Sequence, residues 1–199
     1  MTAPQTLLAL SGADTTPGRL SRAAVVLIDC QMEYLDGALP LAGIDGALAE
    51  VGRLLARARN AGAPVIHVAH RGGAGGPFDR AAPRGQLAPA AAAADGEPVV
   101  EKGLPNAFAG TNLAGVLEGT GRREIVVAGF MTHMCVSSTV RAALDLGYRT
   151  TVVAGATATR DLPDGNGGVV AAADLQRASL AALADRFAVI AATAADLPD

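Results

Sequence analysis

The sequence predicts an α/β protein built on an open parallel sheet with helices packed on its faces. Apolar runs such as residues 23–28 show no alternation of polar and apolar residues, which is typical of strands buried on both faces. Segments with apolar residues at helical spacing separate these runs, so strands and helices alternate along the chain. In such sheets ligands bind beyond the carboxyl ends of the strands, so the residues after each strand are the first functional candidates.

The first half of the chain contains two predicted strands and one long predicted helix. Residues 23–28 form an uninterrupted apolar run, which predicts the first strand. A helix is predicted from residue 45 onward, and Gly62 and Pro64 supply its stop signal. Apolar residues recur through this helix at Leu48, Val51, Leu54, Leu55 and Ala58. Residues 65–69, directly after the stop, are predicted to form the second strand.

The second half of the chain repeats the alternation with shorter elements. Its predicted strands are residues 98–101, 125–128, 150–154 and 187–190. Its predicted helices are residues 111–118, 136–146 and 174–184, and Gly147 closes the second of them. Strands separated by helices of this length predict βαβ units, in which neighbouring strands run parallel.

The length of the chain predicts a single domain. Its 199 residues are enough for one hydrophobic core and too few for two. Residues 1–20 are interpreted as an N-terminal arm and residues 21–199 as the domain. Within the domain, residues 71–98 contain ten Gly or Pro among 28 residues. So long a loop is either a lid over the substrate or a contact with another subunit, and both alternatives stay open.

Composition and charge limit the partners. Charged residues make up 18% of the chain, below the roughly 25% of an average soluble domain. A second subunit covering part of the surface and a high content of alanine-rich helices both account for this, and we expect a homo-oligomer. The net charge is −3 and the 16 basic residues are scattered, which argues against a nucleic-acid partner.

The sequence also indicates a compartment. No apolar run approaches the roughly 20 residues that span a bilayer, and the stretch at residues 7–10 is too short for a secretory signal. The two cysteines, Cys30 and Cys135, have no metal-type spacing, so neither a disulfide framework nor a zinc site is indicated. We therefore expect no membrane partner and a cytoplasmic, reducing location.

Chemically capable side chains follow several of the predicted strands. Asp29, His70 and Lys102 each lie at a predicted strand end, and Cys135 lies directly before a predicted helix. The N-terminus of a helix lowers the pKa of a thiol, and its N–H groups stabilise an oxyanion. Cys135 is therefore predicted to be a nucleophile. Cys30 directly follows Asp29, so its side chain should point the other way, and we interpret it as an inert buried cysteine.

Three segments carry motifs that match one known family in order and spacing. They are residues 25–31 (VVLIDCQ), 100–108 (VEKGLPNAF) and 127–136 (VAGFMTHMCV), the last continued by residues 139–148. Together they resemble the isochorismatase-like cysteine hydrolases, and the resemblance extends from about residue 23 to residue 190. Each motif is weak alone, whereas the three together are specific.

The resemblance implies both a fold and a catalytic site. The fold is a three-layer α/β/α, doubly wound, six-stranded parallel sheet. The triad is Asp29, Lys102 and Cys135. The family also has a cis peptide bond, which falls here between Phe130 and Met131, and an oxyanion hole, which falls on the backbone N–H groups of Met131 and Cys135.

These roles define the expected reaction. Asp29 would remove the thiol proton with the help of Lys102, and Cys135 would attack the carbonyl carbon of the substrate. Asp29 would then protonate the leaving nitrogen, and water would hydrolyse the thioester. The expected activity is hydrolysis of an amide-type C–N bond in a small molecule.

Substrate contacts are predicted at residues near the triad in sequence. They are Gln31, Tyr34, His70, Phe108, His133 and Met134. Some relatives bind a metal through an Asp-x-His pattern, which none of the three histidines here belongs to, so we expect no metal and no cofactor. His67, in the middle of a strand, is interpreted as a core histidine.

Two alternative functions remain open. The first is a vinyl-ether hydrolase like isochorismatase itself, which needs no thiol, and Cys135 argues against it. The second is a non-catalytic binding protein or thiol redox sensor. A sensor generally uses a resolving cysteine, and Cys30 is the only candidate.

Overall fold

The computed structural model, which describes residues 3–199, contains the six-stranded parallel sheet that the sequence predicts. The strands are β1 (Ala23–Ile28), β2 (Val65–His70), β3 (Val99–Lys102), β4 (Glu124–Phe130), β5 (Arg149–Ala158), β6 (Leu162–Pro163), β7 (Val169–Val170) and β8 (Val189–Ala191). The large sheet has the order β3-β2-β1-β4-β5-β8, while β6 and β7 form a separate antiparallel hairpin that the sequence did not predict. The strand order reverses between β1 and β4, which is where a doubly wound sheet opens its ligand crevice.

Helices cover both faces of the sheet. They are α1 (Leu7–Leu10), α2 (Glu33–Asp36), α3 (Ile44–Asn60), α4 (Leu113–Gly119), α5 (Ser137–Asp145) and α6 (Ala172–Arg186). Alternate residues of β1 point into two different cores: Val25 and Leu27 pack with α3, whereas Val26 packs with α4, α5 and α6. This is the three-layer arrangement. None of the helices among residues 3–199 has both the length and the apolar character needed to cross a bilayer.

The long loop between β2 and β3 packs on its own chain. It contains two 3-10 turns, Pro83–Gly85 and Pro89–Ala91, and Ala88 and Ala91 are fully buried. Leu87 forms an isolated antiparallel bridge with Gln31. These contacts hold one side of the loop above the carboxyl edge of the sheet.

The segment between β4 and α5 differs from the predicted helix start. Residues Thr132–Val136 form a single π turn, and the regular helix begins only at Ser137. Cys135 therefore lies inside this turn rather than directly before a regular helix.

Candidate active site

The structure brings Asp29, Lys102 and Cys135 together at the carboxyl edge of the sheet. Asp29 follows β1, Lys102 ends β3 and Cys135 lies in the turn after β4. Lys102 Nζ lies 2.7 Å from Asp29 Oδ2 and 3.2 Å from Cys135 Sγ, to which it donates. The three residues are 0%, 1% and 4% exposed, respectively. The lysine thus joins a carboxylate and a thiol in a site almost closed to water.

The Asp29 carboxylate is poorly satisfied for a fully buried group. Apart from its ion pair with Lys102, neither oxygen accepts a well-aligned hydrogen bond from residues 3–199. Burial raises the pKa of Asp29, and the charge of Lys102 opposes that shift. The backbone at Asp29 has a φ of 51°, a conformation that is uncommon outside glycine and that clusters at functional sites. Asp29 is therefore equipped to accept a proton.

Cys135 is held as a thiol, contrary to the sequence expectation of a lowered pKa. Burial, reinforced by the charge of Asp29, raises the pKa of Cys135 to about 12, and Lys102 opposes this shift. A base is consequently needed to activate the thiol, and Asp29 is the neighbouring one.

The backbone around the nucleophile carries hydrogen-bond donors. The peptide bond between Phe130 and Met131 is cis. The Met131 carbonyl accepts hydrogen bonds from the amides of Met134 and Val136. It accepts none from the Cys135 amide, which lies between them in the chain. No acceptor among residues 3–199 takes the Met131 amide.

Gly129 lets β4 approach β1 at this edge. Its φ is 113°, and a Cβ atom there would lie 2.0 Å from the Ile28 carbonyl oxygen. Any larger residue would push β4 away from β1. Because Asp29 and the nucleophile turn follow these two strands, Gly129 fixes the distance between them.

Gln31 is a brace of the site rather than a substrate contact, which corrects the sequence prediction. Its side chain is 0% exposed, and its Nε2 donates to the carbonyls of His70 and Gly85 at 3.0 and 2.7 Å. Its Oε1 accepts from the His70 amide at 2.8 Å. All of these bonds go to the chain itself, so the amide group of Gln31 is occupied in holding β2 and the loop.

Aromatic rings form one wall beside the triad. The ring of Tyr34 meets those of Phe78 and Phe130 edge-on, with centroids 5.1 and 5.8 Å apart. Tyr34 is 2% exposed, and burial, followed by the charge of Asp29, raises the pKa of its hydroxyl. Tyr34 stays a substrate-contact candidate. Phe130 was missed in the sequence because it resembles an ordinary core residue at the end of a strand.

His133 and Met134 directly precede the nucleophile in the chain, and both stay substrate-contact predictions. Met134 is 38% exposed. His133 Nδ1 lies 2.5 Å from Thr159 Oγ1, and its Nε2 is buried without a partner among residues 3–199. Burial, followed by the charge of Arg160, lowers the pKa of His133, so the ring is neutral. Thr159 was missed because β5 runs to Ala158, four residues beyond its predicted end.

Phe108 does not lie at the site, which corrects a second prediction. Its ring stacks on Tyr148 at a centroid distance of 6.1 Å. Tyr148 immediately precedes β5 and therefore lies at the amino edge of the sheet, opposite the triad. The segment after Lys102 turns back along the face of the sheet, so Phe108 is a packing residue.

Cavities and metal-ligating residues do not point to another reaction centre. A cavity of about 320 Å³ lies between the N-terminal arm and the start of β5, at the amino edge. A second one, of about 430 Å³, lies beside Thr159 and is not lined by the triad. Across residues 3–199, no three His, Cys, Asp or Glu side chains are grouped closely enough to hold a metal ion.

Comparison with known proteins identifies the family of the chain. The family model described as the isochorismatase domain matches residues 23–195. A crystal structure of an isochorismatase from Pseudomonas putida KT2440 superposes with a TM-score of 0.93 and 46% identity, covering 98% of this chain and 100% of that one.

Three curated relatives carry more specific names. A secreted isochorismatase effector of Verticillium dahliae is 36% identical over 83% of this chain and 85% of its own length. Streptothricin hydrolase of Streptomyces noursei is 34% identical over 86% of this chain and 63% of its own. Maleamate amidohydrolase of Pseudomonas putida is 31% identical over 65% of this chain and 69% of its own length.

Proposed function

The chain belongs to the isochorismatase family of hydrolases, and we propose that it cleaves an amide-type C–N bond of a small molecule through a thioester on Cys135. One observation carries the proposal. The Lys102 ammonium reaches both Asp29 and Cys135 Sγ in a buried site. A thiol, an under-satisfied carboxylate and a cation between them are the parts that nucleophilic catalysis by a neutral thiol requires.

Acylation of the enzyme is the first half of the reaction. Asp29 takes the thiol proton while Cys135 Sγ bonds to the carbonyl carbon and the carbonyl electrons move to oxygen. The N–H groups of Met131 and Cys135 stabilise that oxyanion, and their position fits because the Met131 amide is free. When the carbonyl re-forms, the C–N bond breaks, and Asp29 gives its proton to the departing nitrogen.

Deacylation reverses these roles with water as the nucleophile. Asp29 takes a proton from a water molecule, and the oxygen of that water attacks the thioester carbon. The C–S bond then breaks, the proton passes from Asp29 to the sulfur, and a carboxylic acid leaves. Lys102 stabilises the negative charge on Asp29 and on Cys135 Sγ at each stage.

The substrate class follows from the closed site and from the names of the relatives. Only 4% of Cys135 is exposed, so the reacting carbonyl must belong to a small or slender group. Streptothricin hydrolase and maleamate amidohydrolase favour a small amide, ureido acid or lactam as the substrate. A cytoplasmic location is part of the proposal, since both cysteines are free thiols.

The test is a panel of small amides, ureido acids and lactams, assayed for released amine or ammonia with exhaustively chelated protein. We expect Cys135→Ala and Cys135→Ser to lose about 10³-fold or more of the turnover with an unchanged thermal midpoint. Cys30→Ala is the matched control and should keep activity, because Cys30 lies in the other core. Turnover retained by Cys135→Ala would overturn the covalent mechanism and favour vinyl-ether hydrolysis instead. Activity lost on chelation and restored by zinc would overturn the metal-free site.

A further inference from the structure

The Lys102 ammonium has a third neighbour besides Asp29 and Cys135. Its Nζ lies 3.2 Å from His70 Nδ1, at the end of β2. An ammonium group has three N–H donors and no acceptor. Three groups that can accept therefore surround it, at 2.7 Å (Asp29), 3.2 Å (Cys135) and 3.2 Å (His70).

This contact determines the protonation of the His70 ring. Because Lys102 can only donate, Nδ1 of His70 must be unprotonated, and the neutral ring carries its proton on Nε2. Burial and then the charge of Lys102 lower the pKa of His70, so the neutral form prevails at neutral pH. None of residues 3–199 accepts from Nε2, and the ring is only half-buried, so that N–H is open to a ligand.

The rest of the site holds His70 in place. Gln31 accepts from the His70 amide at 2.8 Å and donates to its carbonyl at 3.0 Å. Phe78 packs edge-on against the ring, with centroids 5.2 Å apart. Backbone and ring are thus fixed independently, and the ring is presented to Lys102 in one orientation.

We propose that His70 is a positioning residue, whose neutral ring accepts the third Lys102 hydrogen through Nδ1 and so holds the ammonium between Asp29 and Cys135. The opposite side of the ring, Nε2–H, donates to an oxygen acceptor on the substrate. The inference rests on the proposed function, because it assigns Lys102 the task of stabilising the Cys135 sulfur. It also accounts for the two hydrogen bonds by which the Gln31 side chain holds the His70 backbone.

The proposal requires a particular pH dependence. A protonated His70 ring has no free Nδ1 lone pair and puts a second cation 3.2 Å from Lys102 Nζ. Lys102 from β3 faces the ring, with Asp29 and Cys135 beyond it and Phe78 on the loop side, and Lys102 is the charged group in contact. Reactivity of Cys135 should therefore fall more steeply than the titration of the thiol alone requires as the pH drops through the His70 pKa, which lies below 6.5.

Two amide substitutions separate the two sides of the ring. In His70→Asn the amide oxygen reaches the place of Nδ1, so the acceptor for Lys102 is kept and the outer donor is lost. In His70→Gln the amide reaches the place of Nε2, so the donor is kept and the Lys102 acceptor is lost. We expect His70→Asn to raise KM with little change in kcat, and His70→Gln to lower kcat with little change in KM.

Alkylation of Cys135 by iodoacetamide measures the first role without a substrate. In a Cys30→Ala background, we expect His70→Gln to react about tenfold more slowly at neutral pH, matching a change of about one unit in the pKa of the thiol. His70→Asn should react within about twofold of the parent rate at neutral pH and lack the additional loss of rate that protonation of His70 causes in the parent below pH 6.5. Equal rates and equal pH profiles in all three proteins would overturn the proposal.

A measurement on the unaltered protein covers the case in which a variant misfolds. Nitrogen-15 NMR of the three histidines should show His70 at neutral pH protonated on Nε2 and bare on Nδ1. A proton on Nδ1 would overturn the proposal without any variant. If the proposed function itself is wrong, turnover survives Cys135→Ala. That result differs from a proton on His70 Nδ1, so the two proposals can fail separately.

Discussion

Strand β2 carries a histidine beside each of two ion pairs, one buried and one partly exposed, and the two clusters differ in how completely the carboxylate is satisfied. His70 contacts Lys102, which pairs with Asp29. His67, on the same strand, contacts Glu97 Oε2 at 2.8 Å. We refer to His67, Glu97 and Arg59 as the loop clamp, because Glu97 lies at the end of the long loop.

The carboxylate of the loop clamp has a full set of partners. Arg59 donates to both Glu97 oxygens at 2.8 Å, and the Ala94 amide donates to Oε2 at 2.8 Å. These bonds, Arg59 first, lower the pKa of Glu97 to about 2. Asp29 pairs with Lys102, its contacts with the Cys135 thiol and the His70 amide are poorly aligned, and burial raises its pKa. A satisfied carboxylate contributes to stability as a fixed anion, whereas an under-satisfied one can accept a proton.

The largest effect that separates the two clusters should be on turnover. Asp29→Asn keeps the shape of the side chain and removes the base, so we expect turnover to fall by about 10²–10⁴-fold. Glu97→Gln makes the same chemical change in the loop clamp and should stay within about twofold of the parent. Both are assayed on the same amide substrate. Equal losses in the two variants would show that the clusters do not differ in role.

The free energy of unfolding should depend on Glu97 in the loop clamp, whereas turnover depends on Asp29. Glu97→Gln gives up charge-assisted bonds to Arg59, so we expect the free energy of unfolding to drop by about 1–3 kcal/mol. Glu101→Gln is the matched control, because Glu101 is 41% exposed and its pairs with Arg71 and Arg80 are longer, at 4.0 and 3.1 Å, and it should be nearly neutral. Urea denaturation at neutral pH measures both.

At acid pH, the parent and Glu97→Gln should have nearly the same free energy of unfolding. The folded-state pKa of Glu97 is depressed from 4.5 to about 2, so its contribution is fully present above pH 4.5 and is lost as the pH falls toward 2. The parent should therefore lose stability through that window more steeply than the variant does. Parallel curves would mean that Glu97 is not held as an anion by the fold.

The sequence predicted the positions of the reactive groups better than their surroundings. Asp29, Lys102 and Cys135 lie at or shortly after strand ends, which parallel strands bring to one edge, and the resemblance to the family singled them out as a triad. His67 is hydrogen-bonded inside the fold, as its mid-strand position indicated, but Glu97 lies 30 residues away across a loop whose path no local pattern encodes. Gln31 was misassigned because its position after a strand does not show where its side chain turns.

The loop that joins the two clusters should have a smaller kinetic effect. Phe78 contacts both Tyr34 and His70, so Phe78→Ala should lower kcat/KM by about tenfold through loosened packing at the site. Arg84→Ala, exposed on the same loop, is the control and should leave kcat/KM unchanged. If Phe78→Ala leaves the kinetics intact while the particle mass falls, the loop is a subunit contact and not a lid.

The smallest effect on catalysis is expected from α1, whose described contacts are with α6 and not with either cluster. Leu7 and Leu10 are exposed on α1, which packs on α6 through a bond from the Leu7 amide to Asp185. Together with the low charge content, these exposed leucines lead us to expect a homo-oligomer that buries on the order of 2,000 Å² per interface. Light scattering at micromolar concentration should give a multiple of 19.8 kDa.

Two surface variants locate that interface. The double variant Leu7→Ser, Leu10→Ser should have a lower particle mass than the parent. Its kcat should stay within about twofold, because α1 lies away from the triad. Val169→Ser, on the exposed β6–β7 hairpin, is the matched loss of an apolar side chain and should leave the mass unchanged. A mass change in the hairpin variant alone would move the contact to the carboxyl edge, beside Cys135. A 19.8 kDa particle for the unaltered chain would contradict oligomerisation altogether.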